Sequence, residues 1–60
     1  MKSVGTRKTF SWETIEQPGD YFKIEGSTLI EECDGYDNLW EILQDVPGGL
    51  YCKLTKVRYQ

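Results

Sequence analysis

The chain contains no histidine, so it lacks both the commonest general base near neutral pH and the commonest metal ligand. Its two cysteines, Cys33 and Cys52, fall short of the four ligands a structural zinc site takes. No glycine-rich sequence opens a helix as a phosphate cradle would, and no nucleophile has a base spaced to activate it. Nor is there an apolar run of the ~18 residues a membrane-spanning helix needs. Residues 1–9 lack the apolar stretch of a secretory signal, which points to the cytoplasm, where thiols stay reduced. With 60 residues the chain makes one domain at most, and a chain this short buries only about 60% of its unfolded surface. These absences lead to an expectation of a non-enzymatic protein with no cofactor and no metal, working through its surface.

What the sequence has is polarised charge. All ten acidic residues lie between Glu13 and Asp45, where the only cation is Lys23, so that window carries −9. Lys2, Arg7 and Lys8 precede it and Lys53, Lys56 and Arg58 follow it, +3 at each end. Such a split bears on partners and steering rather than on fold. Tyr51, Lys53, Lys56, Arg58 and Tyr59 interleave aromatics with cations as single-strand binders do, but a −9 body repels phosphates, which argues against direct nucleic-acid binding. Asp34, Asp37, Asn38 and Glu41 gather oxygen ligands, yet their spacing is not that of a calcium loop, where Gly follows the alternate ligands.

Residues 1–8 are polar and unpatterned and read as a flexible basic arm before a single domain over 9–60. Residues 9–17 are rich in strand formers, but their apolar alternation slips between Trp12 and Ile15, which implies a bulge or an outward-facing Trp. Pro18-Gly19 marks a turn. Residues 20–25 alternate as a half-buried strand, and Gly26-Ser27 suits a two-residue hairpin that pairs Ile24 with Leu29 and Phe22 with Glu31. That hairpin makes 28–33 a third strand, although Ser27 could instead cap a short helical turn. Asp37 as N-cap, with Leu39, Ile42, Leu43 and Val46 at i, i+3, i+4, i+7, predicts a helix over 37–46. Pro47-Gly48-Gly49 ends it, and 50–59 is the strongest strand, with Leu50, Cys52 and Leu54 on one face. Past Thr55 the pattern slips, so Lys56 and Arg58 continue that face unless a bulge intervenes. The expected fold class is α+β: an antiparallel-rich sheet of three or four strands with one helix packed across it, in the order β-β-(β)-α-β.

Trp12-Glu13-Thr14-Ile15-Glu16, Tyr21-Phe22-Lys23-Ile24, Val46-Pro47-Gly48-Gly49 and Leu54-Thr55-Lys56-Val57-Arg58, with the acidic helix between them, occur in an order that resembles a known family. These are the small proteins with which T7-like phages inhibit the RNA polymerase of their bacterial host. The resemblance implies a non-enzymatic inhibitor in the host cytoplasm that binds the β′ jaw near the DNA channel, meets σ and prevents promoter opening. The family's important acidic residue at the end of the first strand would fall on Glu16, and its two cations of the last strand on Lys56 and Arg58. This sequence departs from the family in three places: Lys56 stands where the family has Arg and lacks its bidentate geometry, Tyr59 replaces a Pro, and residues 27–34 look like an insertion. The alternative of the same class is an acidic DNA mimic that blocks a host nuclease or defence complex through Glu31, Glu32, Asp34, Asp37, Glu41 and Asp45. A third reading is a small homo-oligomer built by edge-strand pairing through 50–59 or 9–17.

Overall fold

The computed structural model describes residues 4–19 and 21–59. It is a single antiparallel sheet of five strands: β1 (Arg7–Ser11), β2 (Phe22–Glu25), β3 (Thr28–Cys33), β4 (Tyr36–Val46) and β5 (Gly49–Tyr59), in the spatial order β1-β5-β4-β3-β2. Its one helix, α1 (Trp12–Ile15), is a single turn between β1 and β2. This corrects the α+β expectation: the protein is mostly β, and among the described residues no helix lies across the sheet.

The error falls on 37–46. Leu39, Ile42, Leu43 and Val46 do satisfy a helical stripe, but that stripe leaves Trp40, the largest apolar residue of the segment, facing water. As strand β4 the segment turns Asn38, Trp40 and Ile42 to the inner face, and Trp40 becomes fully buried. β4 also supplies what β5 needs, since each is 11 residues long and they pair along their whole length. An isolated helix of ten residues is marginal in water, whereas a long apolar strand left unpaired is costly. Tertiary pairing therefore overrides the local pattern. A bulge in β4 at Leu43, between Ile42 and Gln44, breaks the period-2 alternation that would otherwise have marked the strand.

Other elements follow their local signals. Gly26-Ser27 closes the β2–β3 hairpin with Ile24 opposite Leu29 and Phe22 opposite Glu31, and Gly26 takes φ +62°, a value suited to the first central position of such turns. Asp34-Gly35 joins β3 to β4 and Pro47-Gly48 joins β4 to β5. The expected strand over 9–17 is corrected: β1 ends at Ser11, where the alternation slips, and Trp12–Ile15 turn into α1. The Ser11 hydroxyl accepts from the Thr14 N–H at 3.2 Å and caps α1, which leaves Trp12 39% exposed. At the other end of the expected arm, β1 begins at Arg7, while Gly5 N–H donates to the Leu54 carbonyl at 2.7 Å and Leu54 N–H to the Thr6 carbonyl at 2.8 Å. Residues 1–3 of that arm, and Asp20 of the expected second strand, lie outside the described residues.

The inner face carries the core: Phe10, Leu29, Trp40, Leu50, Cys52 and Leu54, with Ile15, Phe22, Ile42 and Val57 packed against it. The sheet curls until inner-face side chains of its two edge strands touch. Phe10 on β1 meets Phe22 on β2 edge to face with centroids 5.5 Å apart, and meets Trp40 at 4.9 Å. Truncating a buried Trp costs about 3–5 kcal/mol, the same order as the whole stability of a domain this size, roughly 3–9 kcal/mol.

β1 presses closely on β5 at Gly49, which stands opposite Ser11. A Cβ built there would overlap the Phe10 carbonyl oxygen, a backbone atom that cannot rotate away. Gly49→Ala should therefore destabilise the fold by about 1–3 kcal/mol or more, measured by urea unfolding. A variant as stable as the parent would show that β1 does not lie against Gly49.

Candidate functional site

The basic end of the chain is positioned by a bulge. Leu39 pairs with Lys56 and Trp40 with Leu54, so Thr55 is the extra residue on β5. Its hydroxyl donates to the Leu39 carbonyl at 3.0 Å, anchoring the irregularity. An extra residue reverses the parity of every side chain beyond it. Leu54 faces the core with Trp40, whereas Lys56 and Arg58 turn to the outer face opposite Leu39 and Asp37. Val57 and Tyr59 take the inner side in exchange, and the Tyr59 ring stands 6.2 Å from that of Tyr36.

On the outer face the polarised charges of the sequence meet across the strands. The Arg58 guanidinium donates to the Asp37 carboxylate at 2.9 Å, and the Asp37 side chain is only 8% exposed while Arg58 is 53% exposed. A buried carboxylate needs such a partner, because desolvation without one is costly. Lys23 on β2 lies 3.0 Å from Glu32 on β3, and Glu41 on β4 stands opposite Lys53 on β5. Lys56, opposite Leu39, is exposed and makes no ion pair with another described residue.

The nine residues singled out from the sequence do not converge on one patch. Lys56 and Arg58 share the outer face of β5. Glu16 closes α1 as its C-cap, exposed, and α1 is tied by the Trp12 N–H to the Gly48 carbonyl at the start of β5, far along that strand from Arg58. Glu32, Asp37 and Glu41 share the outer face with the cations, Asp34 sits in the exposed β3–β4 turn, and Asp45 is exposed opposite Leu50. Glu31 points inward and is a structural acceptor: its Oε1 takes hydrogen bonds from Asn38 Nδ2 at 3.0 Å and from Trp40 Nε1 at 3.1 Å. The sequence held one signal for this arrangement, the slip in alternation after Thr55. It held none for Asp37 as the partner of Arg58, because a residue read as a helix cap was not expected opposite β5.

Both cysteines are free thiols. Cys52 is fully buried in the core, and desolvation raises its pKa above the ordinary 9.0. Half-buried Cys33 accepts from Asn38 Nδ2 at 3.7 Å, and the Cys33 thiol beside the Tyr36 phenol holds that phenol above its usual range. Among the described residues no group of three or more Cys, Asp or Glu is placed to hold a metal ion, and no helix is long and apolar enough to cross a membrane.

Two outcomes check this geometry. Glu31→Leu should cost about 1–3 kcal/mol, because the Asn38 and Trp40 donors lose their acceptor, while Glu31→Gln, which keeps an oxygen there, should cost much less. Equal stability of the two by denaturant melts would remove Glu31 from the core network. The folded state holds the Cys52 proton more tightly than the unfolded chain. Its contribution to stability is therefore complete below pH 9.0 and is lost as pH rises above it. A thiol reagent should accordingly label Cys33 in the native protein and Cys52 only on unfolding; equal labelling would place Cys52 at the surface. Compared with known proteins, the chain matches no family model, no curated protein and no solved structure.

Proposed function

We propose that this protein acts by binding another protein rather than by catalysis, through the outer face of β5 at Lys56 and Arg58. Its target would be a bacterial RNA polymerase, held at the β′ jaw beside the DNA channel, close to σ, so that promoter opening is blocked. The observation that carries the binding surface is the Thr55 bulge, which turns Lys56 and Arg58 together onto the outer face instead of into the core. Two cations held at alternate strand positions next to an acidic body make a contact of both signs. Such a contact steers association and fixes orientation.

The partner itself rests on the resemblance of the short segments around Trp12, Tyr21, Val46 and Leu54. The acidic helix that formed part of that resemblance is strand β4 here, so no shared helix supports it. The DNA-mimic alternative needs its six carboxylates displayed together. Their division among an inward Glu31, ion-paired Glu32 and Asp37, a turn and two strand faces favours the cationic strand as the contact. Pairing between copies through 50–59 would have to use the far half of β5, because its first half lies between β1 and β4.

The test is capture of polymerase on the tagged protein at low and moderate salt, followed by a promoter-opening assay. Lys56→Glu changes an exposed side chain and should weaken binding by about thirtyfold or more, the range of a hot-spot residue at about 2 kcal/mol, with the fold unchanged. Arg58→Glu should also lose binding, but it sets a second carboxylate against Asp37 and will cost stability too. Failure to retain polymerase removes the partner; retention unaffected by Lys56→Glu removes this strand from the contact.

A further inference from the structure

The sheet ends at β2. Among the described residues no strand pairs with its outer side, and Ile24 in its middle is 47% exposed. In an antiparallel ladder successive residues turn their backbone groups alternately to one neighbour and the other. The Tyr21 carbonyl accepts from the Glu32 N–H at 2.7 Å, so Tyr21, Lys23 and Glu25 turn theirs to β3. Phe22 and Ile24 therefore present their N–H and C=O groups to the open edge, a ready template for another strand.

We propose that this edge pairs with β2 of a second copy, antiparallel about a two-fold axis at Ile24. A symmetric antiparallel pair can take only registers in which facing residues share a sheet face. Centred on Ile24, the pairing exchanges two backbone hydrogen bonds between the Ile24 residues and lays their side chains together. It sets Lys23 of each copy opposite Glu25 of the other, two attractive cross-strand pairs. The neighbouring registers are worse on both sides: centring on Lys23 opposes Lys23 to itself, and centring on Glu25 opposes two carboxylates. The sequence Lys23-Ile24-Glu25 is thus self-complementary in one register alone. The other free edge is not, since β1 carries Arg7 and Lys8 with no acid, and pairing it with a copy would gather four cations.

The Lys23 ammonium already bridges to Glu32 across the hairpin, so in the pair it would lie between two carboxylates. The product is a continuous ten-stranded sheet with three strands between each β5 and the axis. This pairing does not depend on the proposed polymerase target and leaves Lys56 and Arg58 accessible in both copies. Because the edge is short, the interface falls in the small, transient class, and self-association should be seen only as concentration rises.

Sedimentation equilibrium over a wide concentration range tests it, read beside amide exchange. The parent should approach twice the protomer mass, with the Ile24 amide becoming protected as it does so. Glu25→Lys, at an exposed side chain, turns both attractive pairs into repulsive ones and should weaken self-association at least about tenfold. Lys23→Glu should do the same. Mixing the two variants restores opposite charges and should restore a mixed dimer. A parent that stays at protomer mass throughout overturns the proposal. So does a dimer that persists unchanged in Glu25→Lys, or one in which the Ile24 amide exchanges as fast as in the protomer.

Discussion

The burial of Trp40 is the constraint on which the rest of the fold depends. A chain of 60 residues without a disulfide has a single apolar face with which to offset its conformational entropy, and Trp40 lies fully buried at its centre. Phe10 from β1 closes over it edge to face, Leu29 stands opposite it on β3, and Leu54 faces it from β5. Its indole N–H cannot be buried unpaired, so Glu31 turns inward to accept it and takes the Asn38 amide at the same oxygen. One aromatic residue thus recruits residues from four strands and removes a carboxylate from the acidic surface.

Irregularities in the β4–β5 ladder decide what that core leaves outside. A regular pairing would have sent Lys56 and Arg58 into the apolar face after Leu54. The Thr55 bulge reverses parity at the point where the sequence changes from apolar-in to cation-in spacing. The cost of one interrupted rung is partly offset by the Thr55 hydroxyl on the Leu39 carbonyl. The bulge that protects the core is thereby the same feature that turns the cations to the outer face.

The charge polarity that dominates the chain as text is partly offset in space. Antiparallel pairing lays the basic last strand beside the acidic β4, so that Asp37 meets Arg58 and Glu41 faces Lys53. Exposed pairs of this kind contribute little stability. The Asp37 carboxylate, largely withdrawn from water, is the exception that needs its cation. The acidic β4 and the basic β5 thus share one mixed-sign outer face in the fold.

The turns and the register of the β2–β3 hairpin were determined by the sequence alone. Gly26-Ser27, Asp34-Gly35 and Pro47-Gly48 carry their backbone requirements in their own covalent structure, and the alternation around Gly26 set the β2–β3 register. The slip at Trp12 and the slip after Thr55 were both legible as irregularities. One became a capped helical turn and the other a bulge. Whether 37–46 is helix or strand was decided only by the tertiary structure. Leu39, Ile42, Leu43 and Val46 fit a helical period by accident of a bulge between Ile42 and Gln44, and local propensity differs too little between the two states to choose. The choice came from Trp40 and from an 11-residue β5 that needed a neighbour of its own length, both of them long-range demands that no window of sequence contains.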